Sequence, residues 1–321
     1  MAKGETSPTG SGPGKSFRKG MSLIELMNTF NTEEKARKWY EKQVWPQGPY
    51  CPKCGTYNVQ SGIKHPTMTH RCRECPNRKM FSVRTGTILQ SSKLSFRVWV
   101  IAIYLFTTGI KGTSSMKLHR DLEITYKSAW HLSHRLRKAF ETETPEFAGP
   151  VEVDEAFFGG LEGNKHAKKK THPGGGVGGK TAVVGIKDQD TGQVHAEVTP
   201  SIGAADLQGF IHKHTTEGVT VYTDDHKGYN NMKGVKHQTV KHSVGEYVNE
   251  QATINGMESF WALMKRGYHG IYHHWSDKHM ERYIDEFEGR YNARELDTID
   301  QMRLIAMGMH GKRLKYNDLI A

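Results

Sequence analysis

VEVDEAFFGG, residues 151–160, sets carboxylates within a β-branched and aromatic run. Such a run is a strand, and a strand points alternate side chains to opposite faces. Glu152 and Asp154 therefore share one face, Val153 and Glu155 the other. Taken singly, Asp154 would serve equally well as a surface or capping carboxylate. Its neighbours decide. Residues 181–187 and 193–199 read as two further strands, followed by a helix over 204–214 and a strand over 219–223. Another strand is expected near 237–242, then a helix from about 253 to 266.

Three neighbouring strands, then helices and strands in alternation, is the element order of an RNase-H-like mixed sheet, although order alone suits other α/β domains. Two more acids fall at telling places in it. Asp224 follows the apolar strand 219–223, with Asp225 beside it, and Glu258 lies on the helix that also carries Asn255, Trp261 and Lys265. Glu258 and Lys265 are seven residues apart, two turns, and share a helix face. Two strand-borne aspartates and one helical glutamate in a basic protein can hold two divalent ions, the arrangement that in-line phosphoryl displacement requires.

The chain has 321 residues, 45 Lys and Arg against 34 Asp and Glu, and a formal charge of +11. That balance favours a polyanionic partner, with nucleic acid first; composition alone would equally fit a basic enzyme whose charge only keeps it soluble. No apolar run approaches the 18 or so residues of a membrane span, and the stretch 98–106 reads as a buried helix. Residues 1–20, rich in Gly, Ser, Pro and Lys without an apolar core, read as a disordered leader rather than a signal peptide, which implies a cytoplasmic protein.

All four cysteines sit in two CxxC pairs: Cys51 and Cys54, then, after 17 residues, Cys72 and Cys75. Two such loops supply the closed tetrahedral thiolate shell of structural zinc, and a closed shell leaves no position for catalysis. His65 and His70 are expected at the surface. Lys53, Lys64, Arg71, Arg73, Arg78 and Lys79 surround the ribbon and suit DNA, with a protein partner as the competing reading.

Between ribbon and catalytic region, residues 95–140 turn helical, with segment starts at Ser114 and Thr125, and suggest a helix-turn-helix. On its last helix Lys127, His131, His134, Arg135 and Lys138 are expected to face DNA while Ala129, Trp130, Leu132 and Leu136 pack inward; the rival is a solvated basic face. The expected organisation is a leader (1–20), helical lead-in and zinc ribbon (21–90), helix-turn-helix-like module (91–145), RNase-H-like catalytic domain (146–295) and helical tail (296–321). Lys168, Lys169 and Lys170, in a Lys- and Gly-rich segment, and Arg266 join the residues expected near DNA.

The ribbon, VDEAFFGG, the basic segment leading into TAVVGIKD, the YTD at 222–224 and ESFWALMKRGYHGIYHHWSDKHMERYIDEFEGRYN together resemble the ISXO-like insertion-sequence transposases of bacteria, from about residue 30 to 295. The resemblance implies an RNase-H-like DDE domain whose acids fall on Asp154, Asp224 and Glu258, with Lys265 touching phosphate near the cleaved bond. Some members carry Asn at the third position, which makes Asn255 a rival; the carboxylate of Glu258 is the better ligand for a hard cation. It further implies two Mg²⁺ or Mn²⁺ ions beside one structural Zn²⁺, cleavage at terminal inverted repeats, attack of the freed 3′-hydroxyl on target DNA, and a homo-oligomer of at least two copies. A structure-specific nuclease, or a non-catalytic zinc-ribbon regulator, are the other functions such a chain would fit.

Overall fold

The computed structural model describes residues 19–141, 144–160, 179–240 and 255–321. The expected leader up to residue 18, the Lys168–Lys170 segment and the end of the strand expected near 237–242 lie outside these residues. The chain divides into two units, residues 1–141 with 293–321, and residues 142–292.

In the first unit, α1 (Leu23–Thr29) and α2 (Glu33–Val44) begin at Ser22 and Thr32, whose hydroxyls accept from the amides of Glu25 and Lys35 at 3.0 and 3.2 Å. Each satisfies one of the amides that a helix start leaves unpaired. A three-stranded antiparallel sheet follows: β1 (Val59–Ser61), β2 (His70–Cys72) and β3 (Met80–Phe81). The helices α3 (Phe96–Thr108), α4 (Ser115–Asp121) and α5 (Tyr126–Phe140) start at Ser95, Ser114 and Thr125, each with its side chain capping. After the second unit the chain returns here as α9 (Thr298–Gly308) and α10 (Tyr316–Ile320). Met302, Ile305, Ala306 and Met309 enter the same core as Trp99, Ile103, Leu132 and Leu136. Backbone bonds from Ile88 N to Met309 O and from Gly311 N to Gly86 O, both 2.9 Å, fasten the returning segment.

That return corrects the reading of α5. Ala129, Leu132 and Leu136 do pack inward, but His134 and Arg135 are buried as well. The Arg135 guanidinium donates to the carbonyls of Leu314 and Gln90 at 3.3 and 3.2 Å, and His131 Nε2 lies 3.1 Å from the Leu314 carbonyl. Lys127 stands 4.3 Å over the Tyr316 ring, and Lys138 pairs with Glu141 at 2.5 Å. The Arg135 guanidinium, expected at a DNA-facing surface, is thus committed to carbonyls within the chain.

The second unit is built on a five-stranded mixed sheet in the order β6-β5-β4-β7-β8. β4 (Val151–Phe158), β5 (Thr181–Asp188) and β6 (Val194–Val198) form consecutive antiparallel pairs, while β7 (Thr220–Thr223) and β8 (Lys236–Thr239) continue parallel to β4. This is the mixed α/β, RNase-H-like arrangement the element order implied. Val151, Val153, Val184, Ile186 and Val221 pack on α6 (Ala204–His214). Ala156, Phe158, Val183 and Ala196 pack on α7 (Asn255–Gly267) and α8 (Met280–Asn292). Each valine, isoleucine or phenylalanine among them, fully withdrawn from water, contributes about 1.5–3 kcal/mol before entropy is charged.

The outer edge of β6 is covered by side chains of α8. Asn292 accepts from Val194 N and donates to Val194 O, both at 2.8 Å; Glu288 accepts from Ala196 N at 3.3 Å and Glu281 from Val198 N at 2.9 Å. The open backbone that an edge strand presents is thereby satisfied within the chain.

Candidate active site and zinc ribbon

β4 and β7 are parallel with Val151 opposite Val221 and Glu152 opposite Tyr222. The same register sets Asp224, the residue just past β7, level with Asp154. Adjacent strands lie about 4.8 Å apart and level residues point to the same side. That side is the one on which α7 packs, because Asp154 also faces Gly185 across the antiparallel β4–β5 pair. A methyl at Gly185 would meet the Met257 side chain and come within 2.7 and 2.8 Å of the Trp261 ring. Glycine there is what lets α7 lie close to the sheet.

Glu152, two residues before Asp154 on the same face, fixes the start of α7. Its buried carboxylate accepts from the amides of Gly256 and Met257 at 2.8 and 3.1 Å and from Gln189 Nε2 at 3.2 Å. A carboxylate at a helix N-terminus satisfies orphan amides and complements the helix dipole. Any Cβ at position 256 would stand 2.6 Å from Glu152 Oε2, so Gly256 is required for the approach. The sequence placed Glu152 on the face of Asp154 but gave it no task; its signal was a Glu in the middle of an otherwise apolar strand. It holds the helix that carries Glu258. Asn255 is the first residue of α7, and the amides just after it go to Glu152.

Met257, Phe260, Trp261, Met264 and Gly267 form the buried stripe of α7, leaving Glu258, Lys265 and Arg266 exposed. Asp154 is partly buried. Burial pushes its carboxyl up to about 7, and the charges of Glu155, Asp224 and Glu258 push the same way. A carboxylate raised by burial and by neighbouring anions gains from a cation beside it, and an all-carboxylate set suits a hard divalent one. Asp154, Asp224 and Glu258 thus fit the ions that the sequence implied. Glu155 faces the other side, where it accepts from Tyr229 OH at 2.6 Å and lies 3.7 Å from His226 Nδ1. Burial raises its carboxyl too, with Asp224 adding.

In the ribbon, Cys51 and Cys75 Sγ are 3.8 Å apart and Cys54 and Cys72 Sγ are 3.6 Å apart, and all four lie within 4.8 Å of one another. Zinc–thiolate bonds of about 2.3 Å at tetrahedral angles give sulfur separations of about 3.8 Å. The four thiolates fit structural zinc. His65 is exposed as expected, whereas His70 is buried, its ring 5.1 Å from Trp45 and 5.5 Å from Phe81. Lys53, Lys64, Arg73, Arg78 and Lys79 are exposed, and Arg71 is half-buried.

Fold and site define a chain that joins a four-thiolate ribbon to a mixed α/β domain with acids gathered on one sheet face. Residues 31–85 match the transposase zinc-ribbon domain and residues 146–292 the ISXO2-like transposase domain. A protein of Halobacterium salinarum, described as an uncharacterized protein in transposable element ISH50, is 27% identical over 252 residues, covering 75% of this chain and 84% of its own length. The chain belongs to the ISXO2-like transposases. Among the described residues, no helix is long and apolar enough to cross a membrane.

Proposed function

We propose that this chain binds the terminal inverted repeats of an insertion sequence, cleaves the DNA at those ends, and transfers the resulting 3′-hydroxyls to target DNA. The observation that carries the reading is the parallel register that levels Asp154 with Asp224 on the sheet face held against the Glu258 helix. Divalent metal bound by these three acids would supply charge stabilisation for the attacking and leaving oxygens of an in-line displacement. The protein's own part is positional. Glu152 and Gly185 hold α7 to the sheet, and Lys265, two turns beyond Glu258, meets phosphate beside the scissile bond.

DNA is held elsewhere, by the exposed cations around the ribbon, by Arg266 and by Lys168, Lys169 and Lys170; Lys138 contributes charge at a distance, and Arg135 is left out because its guanidinium is used internally. Joining two ends calls for at least two copies on DNA, and the protein acts in the cytoplasm.

The test uses the purified full chain, end-containing DNA and Mg²⁺, scored for end binding, cleavage and strand transfer. Asp154→Asn, Asp224→Asn and Glu258→Gln are expected to keep end binding and lose both reactions. Glu155→Gln, on the opposite face, is expected to retain most activity. Cleavage without joining by the parent protein would point to a nuclease, and end binding without cleavage to a regulator. If Glu258→Gln still cuts and Asn255→Ala does not, the third acid is misassigned.

A further inference from the structure

β6 carries His195 and Glu197 on one face of the edge strand, and α6 ends at His214. These side chains lie on the sheet face opposite Asp154: His195 is paired in register with Ile186 and Glu197 with Val184, both of which pack on α6. The His195 and His214 rings are 4.4 Å apart at their centroids. Glu197 Oε2 lies 4.0 Å from His195 Nε2 and 3.7 Å from His214 Nε2, and one ligand atom from each of the three residues falls within 4.8 Å of the others.

The other nitrogen of each ring is engaged outward. His195 Nδ1 is 3.1 Å from Glu288 Oε2, and His214 Nδ1 is 3.0 Å from the carbonyl of Pro145. A carbonyl and a carboxylate only accept, so both rings carry the proton on Nδ1 and turn the lone pair of Nε2 toward Glu197. His214 is fully buried, and its Nε2 has no hydrogen-bond partner among the described residues.

We propose that His195 Nε2, His214 Nε2 and the Glu197 carboxylate form a second metal site, for a divalent cation of the zinc class, which ties the edge strand β6 to the C-terminal end of α6. At 3.7 and 4.0 Å the two nitrogens are too far from the Glu197 oxygen to hydrogen-bond to it, yet all three ligand atoms lie within 4.8 Å of one another. Ligands on tetrahedral zinc, with bonds of about 2.0–2.1 Å, stand about 3.4 Å apart, so each nitrogen–carboxylate distance needs to close by only a few tenths of an ångström. Metal-binding histidines characteristically donate their second nitrogen to a carboxylate or a backbone carbonyl, which sets tautomer and ring orientation. Both arrangements are present here. Two imidazoles and one carboxylate select zinc over magnesium, which sets the site apart from the all-carboxylate group on the other face. Lys213 Nζ, 2.6 Å from Glu197 Oε2 on a half-exposed side chain, competes for the same oxygen and swings to solvent when metal binds.

The test uses the full chain with its ribbon zinc in place and excess Mg²⁺ present, with Co²⁺ as the probe. Visible d–d absorption without thiolate charge transfer is expected at one equivalent, and zinc-saturated protein is expected to carry two zinc ions per chain. His195→Gln and Glu197→Gln are expected to lose the band and one of the two zincs while keeping the ribbon metal. Lys213→Ala, which removes the competitor, is expected to bind Co²⁺ several-fold more tightly, a gain that misfolding does not produce. Absence of the band in the parent protein, a band that survives Glu197→Gln, or binding by Lys213→Ala no tighter than the parent's would overturn the assignment.

Discussion

Asp154 is held where its charge is unwelcome, and the cost can be measured in protein free of added divalent cations. Its carboxyl rises from an ordinary 3.8 to about 7, chiefly through burial. A rise of roughly three pH units, at about 1.4 kcal/mol each, corresponds to about 4 kcal/mol. The folded state holds this proton more tightly than the unfolded chain. The associated stability is therefore complete below about pH 4, declines as pH climbs toward 7, and is gone above that. Asp154→Asn has no such loss. In Mg²⁺-free buffer without chelator, so that the ribbon keeps its zinc, denaturant unfolding should show the variant and the parent alike near pH 4. At pH 8 the variant should be the more stable by up to about 4 kcal/mol, less whatever the new amide fails to pair. Adding Mg²⁺ at pH 8 should recover the parent and leave the variant unmoved, since a ligand stabilises only the state that binds it. An Asp154→Asn protein that is less stable than the parent at pH 8, by the same margin at every pH, would refute the account.

Cys51→Ser should lose the ribbon zinc and loosen the first unit, read as metal content by elemental analysis and as early protease cleavage between residues 45 and 90. Affinity for end DNA should fall steeply as salt rises, with the slope of log K against log salt reporting several neutralised phosphates; a flat slope would remove the electrostatic reading. Gly185→Ala should cost about 1–3 kcal/mol by overpacking against Met257 and Trp261, and should depress cleavage more than end binding because it lifts the helix bearing Glu258. Circular dichroism with a binding and cleavage assay would separate the two effects.

Much of the fold could be read locally. Ser114 and Thr125 announce their helices because an N-cap acts within three residues. Period two places Asp154 on one face of β4, and period 3.6 separates Glu258 from the buried stripe of α7. What local reading missed depends on partners far along the chain. Arg135 has the look of a DNA contact until its guanidinium is seen on Leu314, 179 residues away, and Glu152 reads as one more strand acid until it is seen on the amides of Gly256 and Met257, more than 100 residues on. His70 reads as a surface residue because the four cysteines already complete the zinc shell, and its ring partners, Trp45 and Phe81, come from segments on either side of it. The strand β1, three residues with two exposed, offers no periodicity to detect.

The return of α9 to the first unit imposes an order on synthesis. A ribosome releases residues 142–292 before it releases residues 293–321, so the acid-bearing unit has its whole sequence in hand while the ribbon unit still waits for Met302, Ile305, Ala306 and Met309. Domains fold as they are completed during translation. The unit begun earlier is therefore the later to close, and until residues 293–321 emerge its core stands open on the side that α9 will fill. A chain stopped near residue 292 would keep Asp154, Asp224 and Glu258 and lose the floor beneath α3 and α5, so that premature termination strikes the ribbon-bearing unit first.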